Sequence, residues 1–229
     1  MPRSDEYQNE FEKQIFMAIN NCRINPKRFV PIVRDTAATH VLAKSIPIDT
    51  VKNLITYLQK CEPLGYVSFD EQANKACLQN NTVIIEKNEA VPAKGGNIVV
   101  YSEIAGSDKK AMCEEYTMCK YEGSCANEFI ALELILDWDR RIEAVVKTDT
   151  KVEAEVSPDT KVEAVVSPVT EVKVDAGTKK TQDLAKGPIK KSPILNGEIQ
   201  SVGISNKAHR TVVNLIQVLY VKRVINTME

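Results

Sequence analysis

From Asp139 the chain repeats itself every ten residues, and this period limits what the surrounding sequence can build. The units run 139–148, 149–158 and 159–168, and a weaker copy starts at Val169. Ten residues are too few for the helix pairs or strand–helix units of the common solenoids. Each unit holds a Val-rich run of about six residues, and the second and third close on Ser-Pro. A run that short buries too little apolar surface to offset the entropy of ordering it. The stretch therefore reads as an extended, mobile insertion, or as short strands that add to a partner's surface. Beyond it, residues 178–192 carry Lys179, Lys180, Lys186, Lys190 and Lys191 against Asp183 alone. Any folded core has to come from the two flanks.

Those flanks have the material. The 229 residues are 43% apolar and 27% charged, which suits a globular core. The net charge of −1 gives no overall pull toward nucleic acid, so an electrostatic partner has to be read from local patches. No stretch reaches the ~18 apolar residues of a membrane span. The polar start from Met1 to Glu10 does not read as a signal peptide, and the expectation is a cytoplasmic protein. Cys22, Cys61, Cys77, Cys113, Cys119 and Cys125 show no C-x-x-C spacing and are expected to be reduced thiols.

Helical periodicity dominates the first flank. Phe11, Ile15, Ala18, Ile19 and Cys22 form one apolar face over 5–21. Pro26 opens a second helix with Phe29, Val30 and Val33. Asp49 reads as the cap of a third, with Val51, Leu54, Ile55 and Leu58. Asp70 reads as the cap of a fourth, through Ala73, Ala76, Cys77 and Ile84. After a loop at 92–96, Asn97–Tyr101 reads as a short strand, and 107–123 as polar and irregular. Ser124 reads as the cap of a helix from Ala126 to Leu136 that is apolar on nearly every side and so should be buried. Two strands follow late, 199–204 and 212–221. The second is apolar almost throughout, as in a central strand, and a turn with Lys207, His209 and Arg210 lies between them.

The order of several short motifs resembles the CAP superfamily of cysteine-rich secretory, antigen 5 and pathogenesis-related proteins, in its short protist- or bacterial-like form. Ile19 to Pro26, followed by Phe29, is similar to the family's opening helix with its Asn, Arg and Asn-Pro. Leu64 to Ala76 resembles the entry to its alanine-rich helix, and Gly95-Gly96-Asn97-Ile98 its Gly-Glu-Asn segment. Ala126 to Arg141 resembles the helix before its Arg-x-His-Arg motif, and 192–196 with Val202-Gly203-Ile204 the continuation of that motif. The resemblance implies an α+β fold: a three-layer α-β-α sandwich with a central antiparallel sheet, interrupted by the long repeat insertion. It divides the chain into 1–138, the insertion 139–192, and 193–229 with the last two strands.

The family's cleft carries two His and two Glu, and the resemblance implies that this site is degenerate here. Gly96 replaces one Glu, Asn80 or Asn81 stands near the helix histidine, and Glu133 is the one remaining carboxylate. The expectation is accordingly no catalytic residue, no metal and no cofactor. His40 reads as a solvated surface residue and His209 as a turn residue. Three functions compete. The first is a non-enzymatic scaffold docking on an acidic protein surface, such as a tubulin-like one, through Val162, Val165, Lys179, Lys180, Lys190 and Lys191. The second is a lipid- or sterol-binding protein, and the third a residual metal-dependent hydrolase. The lysine cluster has neither interleaved aromatics nor an amphipathic helix, which argues against nucleic acid and anionic lipid as its target.

Overall fold

The computed structural model describes residues 7–87, 96–105, 113–152, 192–209 and 213–222. It is a mixed helix-and-strand, α+β protein. By its internal contacts the chain divides into two units, Met1–Trp138 with Lys191–Glu229, and Asp139–Lys190.

In the first unit, helix α1 spans Glu10–Ile24 and is capped by Asn9, whose side chain accepts from Glu12 N. The cap lies later than the expected start at Asp5. The chain turns at Asn25-Pro26 through a 3-10 turn, Pro26–Arg28, into α2, Phe29–Thr39. Helix α3 is Ile48–Lys60; Asp49 lies inside its first turn rather than capping it. Asp70 does cap α4, Glu71–Glu86, accepting from Ala73 N at 2.9 Å. Helix α6, Ala126–Val152, begins two residues after Ser124. Every residue from Phe129 to Ile135 is buried, as its all-round apolarity requires.

Two segments depart from expectation. Residues 96–105 form helix α5, not a strand at Asn97–Tyr101. Ile98 and Tyr101, three residues apart, share the face that packs on Ala73, Ala76 and Cys77 of α4. A short apolar run fits either period, and this packing selects the helix. Residues 113–121 form strand β2 rather than irregular chain. Its polar sequence is that of a terminal strand.

The sheet has the order β1-β3-β4-β2, where β1 is Ser68–Phe69, β3 Ile199–His209 and β4 Val213–Lys222. β3 and β2 flank β4 antiparallel, and β1 adds to β3 in parallel. β4 is thus a central strand, as its apolar run predicts. β3 continues five residues past the expected end at Ile204. This places Lys207 and His209 in the strand, with His209 opposite Val213, not in the turn. Arg210 lies outside the described residues.

Side chains alternate across the sheet. Leu219 and Val221 pack with Ala73, Ala76, Cys77 and Tyr101, while Tyr220 between them bonds to Glu133 of α6. Gly203 lets α4 sit directly on β3, since a Cβ there would collide with the backbone of Ala73 and Asn74. Cys77 Sγ meets Gly203 O at 3.7 Å.

Beyond the two-residue β1, polar side chains take over the edge of β3. Ile204 N donates to Asn74 Oδ1 at 3.0 Å and Asn206 N to Glu12 Oε1 at 2.7 Å, while Asn206 O accepts from Asn9 Nδ2 at 3.2 Å. Asn20 pairs with both backbone groups of Val67 in the same manner. Helix α1 and its cap thus supply Glu12 and Asn9 in place of a neighbouring strand along β3, and Asn20 does the same for Val67.

In the second unit the described residues are 139–152, which are helical. The first repeat unit is therefore helix, not the expected extended run. It follows directly on the buried turns of α6, and propagating a helix costs far less than nucleating one.

Candidate functional site

Two polar clusters lie against β4, one on each face. On the α4 side the close approach at Gly203 brings Asn80 and Asn81, about two helical turns further along, down on the strands. Asn80 Nδ2 donates to Gln217 Oε1 at 3.0 Å. Asn81 Nδ2 donates to Ser205 Oγ at 3.1 Å and reaches the carbonyls of Ser205 and Leu215, both at 3.3 Å. Lys207 Nζ donates to Thr82 Oγ1 at 2.8 Å. Asn81 and Gln217 are fully buried.

On the α6 side, Glu133 is fully buried and its Oε1 accepts from Tyr220 OH at 2.7 Å. Its Oε2 has no hydrogen-bond partner among the described residues. Burial pushes the Glu133 carboxyl up to about 8; Tyr220 opposes the shift and Asp137 adds to it. The group is thus largely a neutral acid at pH 7. Burial likewise pushes the Cys22 thiol up, helped by Cys61 and Glu133, so Cys22 is held as an unreactive thiol.

The candidate cleft positions are not brought together. Gln217 and Tyr220 are three apart in an uninterrupted register, so their side chains leave opposite faces of the sheet. Asn80 on the one and Glu133 on the other belong to different clusters, and Gly96 is the first residue of α5. A divalent metal needs three or four ligands, and these positions offer one carboxylate on the far side of the sheet from Asn80. They do not fit the metal that the family resemblance implies. The partner candidates Val162, Val165, Lys179, Lys180, Lys190 and Lys191 lie outside the described residues.

His40 is not simply solvated. It is half-buried, its ring stacks on Tyr121 at 6.2 Å between centroids, and its Nδ1 accepts from Leu42 N at 3.3 Å. Phe11 also stacks parallel to Tyr121, at 6.1 Å, and Phe129 meets its edge.

Arg23, which the sequence marked only as the Arg of the opening-helix motif and to which it gave no role, lies in the last turn of α1 and is 2% exposed. Its Nε donates to Gly65 O at 2.9 Å. Nη1 donates to Ile194 O at 2.8 Å and Asn196 O at 3.0 Å, and Nη2 to Ile199 O at 3.2 Å. Burial lowers its pKa from the ordinary arginine value. Arg23 forms part of the wall of a groove of about 440 Å³ between residues 65–68 and 197–200. The only signal in the sequence was its place between Asn20 and Asn25-Pro26.

Compared with protein-family models, with curated proteins and with solved structures, the chain gives no match. Among the described residues no helix is long and apolar enough to cross a membrane.

Proposed function

We propose that this chain is a non-enzymatic, CAP-like scaffold: a three-layer α-β-α sandwich that carries the segment 139–192 as its docking element in a larger intracellular assembly. One observation carries the reading. Three of the polar side chains buried in the core are engaged with the fold's own backbone: Arg23 with four carbonyls, Glu12 with Asn206 N, and Asn20 with Val67. The lysines at 179, 180 and 190 belong by contrast to the separate unit Asp139–Lys190. A core built this way holds a shape and presents a segment.

The partner that suits the segment is an acidic protein surface in the cytoplasm, with a cytoskeletal filament of the tubulin kind as the leading candidate. The test is a charge swap of Lys179, Lys180, Lys190 and Lys191 to Glu, followed by co-sedimentation and pull-down at two salt concentrations. Electrostatic docking requires wild-type binding to weaken with salt and the swapped protein to lose it. Unchanged recovery and unchanged salt dependence would place the contact on the core and defeat the reading.

A further inference from the structure

Arg23 holds a positive charge in the core without a carboxylate partner among the described residues. Its four contacts are all carbonyl oxygens, whose dipoles solvate a cation but do not neutralise it. Taking a charge out of water is costly, and proteins ordinarily offset the cost by pairing it. A guanidinium has five N–H bonds, and those contacts engage four of them, which leaves one hydrogen on Nη2. Arg23 also borders an open groove of about 440 Å³.

We propose that this groove binds an oxyanion, a carboxylate or a phosphate, with the Arg23 guanidinium as its cation. The rest of the wall suits that ligand. Ser68 contributes a hydroxyl whose contact among the described residues, to Gln200 O, is long at 3.3 Å, so it can turn toward a ligand. Gln200 and Tyr66 are exposed, and Tyr66 is 75% accessible. Gly65 has no atom within 4 Å of where a Cβ would stand, so that lip is open. The nearby acids are directed elsewhere. Glu198 pairs with Lys222 at 3.8 Å, and Asp70 accepts from Ala73 N and Ser201 Oγ. Arg23, held by its carbonyls, cannot swing out to an anion, so the ligand has to come into the groove. The one N–H left on Nη2 can give a single charge-assisted hydrogen bond to a carboxylate or phosphate oxygen, and the guanidinium charge favours that ligand over a neutral one. The proposed site lies outside the docking element at 139–192, and the charge swap of that segment does not touch it.

The full-length, nitrogen-15-labelled chain provides the test. Backbone amide shifts of Gly65, Tyr66, Ser68, Gly197 and Gln200 are followed while sodium phosphate, sodium acetate or sodium chloride is added at constant ionic strength and pH. Saturable shifts with phosphate alone assign a phosphate-bearing ligand. Saturation with acetate alone assigns a carboxylate, and saturation with both assigns the general oxyanion site. The Gly197→Asp variant sets a fixed carboxylate at the groove and should weaken the apparent affinity by about tenfold or more. Its melting temperature is measured in parallel. If it does not fold, Ser68→Ala, at an exposed hydroxyl, takes its place and should also weaken binding. Shifts that stay linear with concentration, shifts matched by chloride, or unchanged affinity in a folded variant would each overturn the assignment.

Discussion

Arg23 Nη1 donates to the carbonyl of Ile194 at 2.8 Å, joining residues 171 positions apart across the whole of the repeat insertion. The same guanidinium reaches Gly65, Asn196 and Ile199. The end of the first helix, the entry to β1 and the entry to β3 are therefore fixed to one another through a single side chain.

Replacing Arg23 by Ala should leave several buried carbonyls without donors. A lost hydrogen bond from a charged group costs about 1.5–3 kcal/mol, so a total of about 3 kcal/mol or more is expected. Arg23→Lys should recover only part, because a point charge cannot fork toward three segments. Urea unfolding monitored by circular dichroism measures both. A cost within 0.5 kcal/mol, roughly that of a neutral surface change, would show the staple to be dispensable.

Glu12 presents an acceptor to Asn206 N. Glu12→Gln can keep an oxygen for Asn206 N but loses the acceptor that Oε2 offers Gln8 N, so it should cost less than Glu12→Ala, which strands both amides and should cost about 1–3 kcal/mol or more. Amide exchange at Asn206 reads this directly: it should quicken in the Ala variant and stay slow in the Gln variant.

Glu133 makes stability depend on pH. Its folded-state value of about 8 lies above the ordinary 4.5, so the folded chain holds a proton that the unfolded chain releases. Its stabilising share is complete below about 4.5 and declines as pH rises through about 8. Glu133→Gln should flatten that decline and be the more stable form at pH 9. Tyr220→Phe removes the bond that favours the ionised form and should push the group still higher. Thermal melts from pH 4 to 9 on the three proteins decide the matter; parallel curves for wild type and Glu133→Gln would contradict it.

Gly203→Ala should lift α4 from the sheet. The added methyl meets backbone atoms of Ala73 and Asn74, which cannot rotate away. Overpacking of this kind costs typically 1–3 kcal/mol and more where backbone has to move. A melting temperature equal to wild type would mean that the helix does not sit where the fold places it.

Deleting residues 139–190 and joining the ends through a short flexible linker should leave a chain that unfolds cooperatively. The contact division falls at these positions, and each doubling of loop length adds only about 0.6 kcal/mol to closure. Loss of a single sharp transition would show that the inserted stretch supports the core.

Much of the helical framework was legible because it follows from local rules. The stripe Ile15, Ala18, Ile19, Cys22 is buried as its spacing requires, and Asp70 caps α4 as its position before an apolar period suggests. Residues 97–101 misled because Ile98-Val99-Val100 fits both periods, and only packing on α4 decides between them. β2 misled because a terminal strand need not alternate visibly. The polar sites were the least legible. Arg23 and Glu12 act on backbone groups 171 to 194 positions away, and a carbonyl or amide leaves no mark in the identity of the residue that owns it. Likewise, nothing in the identities of Asn80 and Glu133 tells which face of β4 each approaches.

The sheet's order has a consequence for how the molecule is made. Its two innermost strands, β3 and β4, are the last elements of the described chain to leave the ribosome, and α1 is the first. At synthesis rates of about 5–20 residues per second, Glu12 and Arg23 wait on the order of ten seconds or more for the backbone they will hold. Until then the apolar face of α1 and the buried turns of α6 have no sheet to cover them. A nascent chain arrested before β3 should therefore be a strong client for chaperones, and one released after β4 should not.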